Sequence, residues 1–245
     1  MKMVSAVVAA LPLLIWSASL SAQAPNTLTP QEKAQGWQLL FDGKSLNGWH
    51  SQAPPQPRSG GGGRGRAAAP PATPQPGALP QVGSAPSPCK TKQSASTQTG
   101  SSHWEVVDGA ITPCGSPTGY LSSDQSYKNF VLSLEFRTSQ DANSGVYVRS
   151  PNEAGGYEVQ IWRQQPAGYN TGSIVATAKT ARDYAFKADQ WNQMQITADG
   201  DHLVVVLNGE TTLDTRDAKF PDGNIRFQYQ QFPIAFRNIK IRQLP

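Results

Sequence analysis

An all-β sandwich of antiparallel sheets is the fold this sequence predicts, and three observations predict it. Short runs alternate apolar and polar residues with period two, the pattern of strands that bury one face. Turn dipeptides separate them: Asp42-Gly43, Asp108-Gly109, Asp199-Gly200 and Asn208-Gly209. Only one stretch reads as a helix. About a dozen short strands at this spacing make a sandwich.

Taken in order, residues 1–24 read as a signal peptide. Lys2 is followed by an apolar run from Val4 to Trp16 and by the small residues of Ser21-Ala22-Gln23-Ala24. The run is too short for a stable membrane span, and no other stretch is apolar enough to anchor the chain. No Cys lies near the cleavage region to carry a lipid. A periplasmic or secreted location is expected. Residues 25–245 then read as one domain. Thr29-Pro30-Gln31-Glu32 is a capping box with Pro at the first helical position, which predicts a short N-terminal helix. Trp37 to Phe41 is a strand.

Residues 53–102 are low complexity, with Gly60 to Gly63, an Ala-Pro tract and a Ser/Thr/Gln run. Such a segment cannot bury enough apolar surface to offset its ordering entropy. It is expected to be a long disordered insertion in one domain, since loop closure cost grows only slowly with length. It also explains the charge. The chain is net +4, but the insertion carries Arg58, Arg64, Arg66, Lys90 and Lys92 without an acid. With Lys2 in the signal segment, the remainder is net −2. The basic balance is therefore no sign of a nucleic-acid surface.

Beyond the insertion the strands follow closely: His103–Val107, Ala110–Thr112, 129–137, 143–149, 156–161, Gln190–Ala198, Leu203–Leu207, Thr211–Asp214, Asn224–Tyr229 and Ile234–Arg242. Roughly 170 residues outside signal and insertion are enough for a full core. Cys89 and Cys114 are an even pair, read as a disulfide in an exported protein. It would enclose about 25 residues and contribute roughly 3–4 kcal/mol in the entropic account. The three His, at 50, 103 and 202, are scattered and have no zinc spacing.

The stretch from 129 to 161 carries the functional signal. Leu132, Leu134 and Phe136 fall opposite Ser133, Glu135 and Arg137; Val146 and Val148 oppose Asn143, Gly145, Tyr147 and Arg149; Tyr157, Val159 and Ile161 oppose Glu158 and Gln160. If the three strands are neighbours, Glu135, Arg137, Asn143, Arg149, Glu158 and Gln160 share one face. A merely wetted face usually carries Thr, Lys and Ser. Gly and Asn are poor strand formers, and Gly145 among these residues marks a place where something approaches the backbone closely.

An ordered series of motifs then carries a resemblance. Gly36-Trp37-Gln38-Leu39-Leu40-Phe41-Asp42-Gly43-Lys44-Ser45-Leu46-Asn47-Gly48-Trp49 opens it. It continues in Trp104 with Asp108-Gly109, Asn129-Phe130, Glu135-Phe136-Arg137 and Asn143-Ser144-Gly145-Val146-Tyr147-Val148-Arg149. Tyr157-Glu158-Val159-Gln160-Ile161, Trp191-Asn192, Leu207-Asn208-Gly209 and Phe236-Arg237-Asn238-Ile239 complete it. The series resembles the 3-keto-disaccharide hydrolase family over nearly all the chain outside signal and insertion. The resemblance implies a concanavalin-like jelly roll of two stacked antiparallel sheets. It also implies action on small carbohydrates, glycosides whose sugar is oxidised to a ketone at C3. Two departures stand out. The family's Asp after the Gln-Ile pair is Trp162 here, followed by Arg163, and its Gly-Ala-Ile-Tyr appears as Gly172-Ser173-Ile174-Val175.

A C3 ketone acidifies the C2 proton, so a base can remove it, the enolate can expel the C1 substituent, and water can add back. Such a site needs a carboxylate base, a cation or metal at the enolate oxygen and an acid near the leaving oxygen. Glu158 is the candidate base and Glu135 the acid. Arg149 and Arg137 would face the oxyanion, Asn143 and Gln160 would hold hydroxyls, and Trp104 or Tyr147 would stack on the ring. Trp37, Trp49 and Trp191 read as core. Arg237-Asn238 fits edge pairing as well as a site. The sequence identifies no cofactor; Glu, Gln and Asn oxygens suit a hard divalent cation, but no spacing defines a site for one. Two other functions fit the same residues: an ordinary glycoside hydrolase with Glu135 and Glu158 as its carboxylate pair, and a carbohydrate-binding module without catalysis.

Overall fold

The computed structural model describes residues 23–52, 103–114, 119–151, 155–163, 168–231 and 233–245. The expected insertion, Cys89 and most of the expected signal segment lie outside the described residues.

Helix α1 (Pro30–Ala34) opens on the capping box read from the sequence: Thr29 Oγ1 accepts from the Glu32 N–H, and Glu32 accepts from the Thr29 N–H. Thirteen strands follow among the described residues: β1 (Gln38–Leu39), β2 (Trp49–Gln52), β3 (His103–Val107), β4 (Ala110–Cys114), β5 (Gly119–Tyr127), β6 (Phe130–Thr138), β7 (Asn143–Ser150), β8 (Tyr157–Ile161), β9 (Asn192–Asp199), β10 (His202–Leu207), β11 (Glu210–Arg216), β12 (Gly223–Gln231) and β13 (Ile234–Gln243). Asp108-Gly109 and Asn208-Gly209 turn the chain with both residues at positive φ, as a tight hairpin requires. The expected Asp199-Gly200 turn falls one residue later, because Asp199 pairs with His202 and leaves Gly200-Asp201 as the loop. Among the described residues no helix is long and apolar enough to cross a membrane.

The strands form a jelly-roll sandwich of two antiparallel sheets. One sheet has the order β11-β10-β9-β6-β13-β4-β3, with β1 also paired to β13; the other has the order β2-β5-β12-β7-β8. The alternation is in phase with the sequence reading: Leu132, Leu134, Phe136, Val146, Val148, Tyr157, Val159 and Ile161 are all buried between the sheets. Phe227 of β12 stacks on Phe236 of β13 with centroids 4.3 Å apart, joining the two layers, and Trp49 stacks on Phe227 at 5.0 Å. Trp49 is core, as expected, whereas Trp37 and Trp191 are only half-buried and carry the guanidinium groups of Arg242 and Arg237 on their rings.

One consequence reorders the site. β6 lies in the eight-stranded sheet and β7 in the five-stranded one, so the chain changes layers through residues 139–142. The condition that the three strands be neighbours holds for β7 and β8 and fails for β6. Glu135 and Arg137 point away from the core on one side of the sandwich, Tyr147 and Glu158 on the other.

Candidate active site

The outer face of the five-stranded sheet is built from two rows of cross-strand neighbours. Residue pairing aligns His50, Ser122, Arg226, Tyr147 and Glu158 across β2, β5, β12, β7 and β8. The adjacent row is Gln52, Tyr120, Gln228, Gly145 and Gln160. Because side chains alternate, both rows face away from the core residues Leu121, Phe227, Val146 and Val159.

Glu158 is the centre of this face. The Tyr147 hydroxyl donates to Glu158 Oε2 at 2.7 Å. The other carboxylate oxygen lies over Gly145: a Cβ at position 145 would sit 2.7 Å from Glu158 Oε1 and 2.9 Å from its Cγ. The missing side chain of Gly145 is thus what lets Glu158 lie flat against β7. Arg226 stacks its guanidinium over Tyr120 at 4.5 Å and over Tyr147 at 4.9 Å. Tyr120 meets Tyr147 edge to face, and the Gln228 side-chain amide donates to the Tyr147 oxygen at 3.4 Å.

Burial sets the electrostatics. It pushes the Glu158 carboxyl above its ordinary value, and the Tyr147 hydrogen bond and the Arg226 charge offset this only in part. Burial, together with the negative charge of Glu158, drives the Tyr147 phenol far up, so it remains a donor. Burial also draws Arg226 down, with the Tyr120, Tyr147 and Glu158 charges opposing; a guanidinium keeps its proton even so.

A hollow of about 230 Å³ opens beside Glu158, lined by Asn143, Glu158, Gln160, Tyr169, Val175, Gln228 and Gln230. Its outer wall is the segment that runs along β8. Val175 N–H donates to the Glu158 carbonyl and Gln160 N–H to the Ser173 carbonyl, both at 2.9 Å, and Gly172 N–H returns to the Gln160 carbonyl. The backbone on both sides of the Glu158 and Gln160 side chains is therefore held from the wall as well as from β7.

The structure brings together four of the residues read from the sequence: Glu158, Tyr147, Asn143 and Gln160. It removes four others. Glu135 lies on the outer face of the opposite sheet, where Arg237 donates to it at 2.7 Å. Arg137 is on that face too, its guanidinium 4.9 Å from the Trp191 ring; Arg237 stacks on the same ring at 4.0 Å. Arg149 adopts a left-handed backbone, φ 49°, beside a register shift in β12, and this breaks the alternation. Its fully buried side chain donates to the carbonyls of Lys128, Gly200 and Phe220 and to Asn129 Oδ1. It clasps loops and touches no part of the hollow. Trp104 is buried in the core and offers no stacking face.

Sequence reasoning missed Arg226, Gln228 and Tyr120. Arg226 and Gln228 alternate with Ile225, Phe227 and Tyr229, the same signal that singled out Glu158. Tyr120 belongs to β5, a strand not read from the sequence.

A larger hollow, about 290 Å³, lies on the other face beside Ser133, Glu135, Gln193, Asn238 and Lys240. Size does not make it the site. Its carboxylate is engaged by Arg237, and its ammonium by Glu32. Trp162, where the resemblance implies an Asp, donates its backbone N–H to Thr171 Oγ1 and supplies no carboxylate. Among the described residues no group of three or more His, Cys, Asp or Glu could hold a metal ion. Cys114 is buried at the end of β4 and disulfide-bonded.

The profile of the 3-keto-alpha-glucoside-1,2-lyase-like domain matches residues 36–242, and the chain belongs to that family. Among solved structures, a candidate glycosyl hydrolase from Parabacteroides distasonis ATCC 8503 superposes with a TM-score of 0.61 at 20% identity, covering 91% of this chain and 100% of that one. A second candidate glycosyl hydrolase from the same organism gives 0.53 at 26% identity, over 58% of this chain and 90% of that one. No curated protein matches the sequence.

Proposed function

We propose, from membership of this family and from the Glu158 face, that the chain cleaves the glycosidic bond of 3-keto glycosides by elimination and hydration. The observation that carries the reading is that Glu158 is the only carboxylate among the described residues lining its hollow. An ordinary glycosidase needs a second one roughly 5–9.5 Å away. Its candidate, Glu135, is on the far side of the sandwich. Elimination from a ketone needs one base, and a carboxyl raised by burial is suited to that role near neutral pH.

Glu158 takes the C2 proton through Oε1, the oxygen over Gly145. The C2–H electrons form the enolate, and the Arg226 charge, buried beside Tyr147 rather than in the hollow, favours it through space in place of Arg149. The enolate then re-forms the C3 ketone, a C1–C2 double bond forms, and the C1–O bond breaks. Expulsion from an enolate needs no strong acid, and the open hollow lets water protonate the leaving alkoxide. The hydroxide left by that protonation adds to C1, and the proton on Glu158 returns to C2. Tyr147 holds Oε2, while Asn143 and Gln160 hold ring hydroxyls.

The test is to incubate purified protein with methyl glucoside and with its 3-keto form. Release of methanol from the 3-keto form alone is the expected result. Binding of both with turnover of neither favours the carbohydrate-binding module.

A further inference from the structure

Gln228 is 9% exposed and sits between Tyr147 and the hollow. The direction of its hydrogen bond is fixed by its neighbours. An ionised carboxylate only accepts, so the Tyr147 hydroxyl must donate to Glu158. The Tyr147 oxygen can then only accept from Gln228, and Gln228 must present its amide nitrogen. A flipped amide would set two acceptors against each other. Gln228 Oε1 is therefore left over: it is buried and has no hydrogen-bond partner among the described residues. Buried acceptors without a donor are rare in folded proteins, and each calls for an occupant.

The chemistry of that occupant is constrained. It must donate a hydrogen bond. An ammonium is disfavoured by Arg226, which stands on the same face beside Tyr147. The other amides at the hollow, Asn143, Gln160 and Gln230, are neutral. A neutral hydroxyl fits. We infer that Gln228 is a specificity-determining residue whose Oε1 accepts a hydrogen bond from one hydroxyl of the bound sugar, at C4 or C6. This rests on the reading of the hollow as a sugar site. One amide thus joins the substrate hydroxyl to Tyr147 and, through it, to Glu158. A site built to accept from a hydroxyl rejects an analogue lacking it more strongly than an apolar pocket would.

The experiment is a cycle of protein and sugar changes. Methyl glucoside, which lacks the ketone and so is not turned over, and its 4-deoxy and 6-deoxy analogues are titrated calorimetrically into protein that keeps Glu158, with and without Gln228→Leu. One deoxy analogue should bind roughly ten-fold or more weaker than the parent, and that penalty should vanish with Gln228→Leu. The 3-keto form of the same analogue should show a raised KM that Gln228→Leu no longer distinguishes from its parent. If Gln228→Leu weakens all three sugars by one common factor, Gln228 only props Tyr147 and the inference fails. It fails equally if both deoxy penalties persist in the variant. Gln228→Met, of similar volume, serves the same cycle if the Leu variant does not fold. Wild-type protein that shows the coupling in binding but turns over no 3-keto glycoside overturns the proposed reaction and leaves the Gln228 assignment standing.

Discussion

The two outer faces of the sandwich are built from similar residues and treat a carboxylate in opposite ways. On the eight-stranded side, Glu32 meets the Lys240 ammonium, the Thr29 N–H and the Gln23 amide. Burial alone would raise its carboxyl, but these partners outweigh it and hold it at about 2. On the five-stranded side, the direct partner of Glu158 is a neutral phenol, and burial wins. The nearest cation, Arg226, is stacked on two tyrosine rings. A carboxylate clamped by a cation is a weak base and a good fastener; one desolvated against a phenol has a stronger pull on protons. Glu135, a quarter exposed, is paired with Arg237 on that same side of the sandwich.

The largest effect that could break this comparison is on turnover. Glu158→Gln should lower kcat on a 3-keto glucoside by about 10²–10⁴, whereas Glu135→Gln should leave it within about two-fold. The folded state should not suffer from the first change. A carboxyl raised on folding costs stability above its folded value and nothing below its unfolded value. Thermal unfolding should therefore find Glu158→Gln at least as stable as wild type at neutral pH, with the gap closing as pH falls from the raised value of Glu158 to the ordinary carboxylate range. By the same shift, the acid limb of kcat/KM should lie above that range, with activity lost as pH falls through it.

The next effect separates the two buried arginines. Arg149 ties three backbone carbonyls and Asn129 at one end of the sandwich. Replacing it by Met strands those acceptors and should cost at least about 3 kcal/mol in denaturant unfolding. Arg226→Met is the one of the two that should lower kcat. If Arg149→Met unfolded normally yet lost turnover, the clasp assignment would be wrong.

Gly145→Ala is subtler. Its backbone is not at positive φ, so an Ala is tolerated there by the chain, but the new Cβ would collide with Glu158. A displacement of the base by about 1 Å can cost on the order of 10²-fold in rate. The melting temperature should stay within a few degrees. A fully active Gly145→Ala protein would show that the flat pose of Glu158 is not needed.

How much of this was legible in the sequence depends on what strand alternation can encode. It gives the phase of each strand, and the phase of β6, β7 and β8 was read correctly. It does not give the partner of a strand. β6 and β7 look like neighbours because only residues 139–142 separate them, yet that link crosses between layers. Glu135 and Arg137 were misplaced for that reason alone. Arg149 was misplaced because a left-handed residue inside a strand turns its side chain out of register, and no local residue type announced it. Gly145 was read rightly as a point of close approach, although what approaches it is Glu158 rather than a ligand. Arg226 and Gln228 were within reach, since β12 alternates as cleanly as β8. What the sequence lacked was the pairing of β12 with β7, which sets them beside Tyr147.

The smallest effect belongs to the fastening face. Lys240→Met should cost about 1 kcal/mol or less at neutral pH, because the pair is partly screened. A carboxyl lowered on folding contributes stability above its unfolded value, and this is lost as pH falls through its folded value. The deficit of Lys240→Met relative to wild type should therefore shrink between about pH 4.3 and pH 2. A deficit that stays constant down to pH 2 would mean that Lys240 acts by packing on Trp37.

The central claim is that Glu158, and no other carboxylate, removes a proton from C2 of the bound sugar. Deuterium exchange reads that step without requiring the glycosidic bond to break. A 3-keto glucoside is incubated in heavy water with wild type, Glu158→Gln and Glu135→Gln protein, and label at C2 is followed by NMR in unreacted substrate and product. Wild type and Glu135→Gln should incorporate deuterium at C2 well above the uncatalysed rate, and Glu158→Gln should not exceed it. Exchange by Glu158→Gln at the wild-type rate, or its loss in Glu135→Gln, would contradict the account.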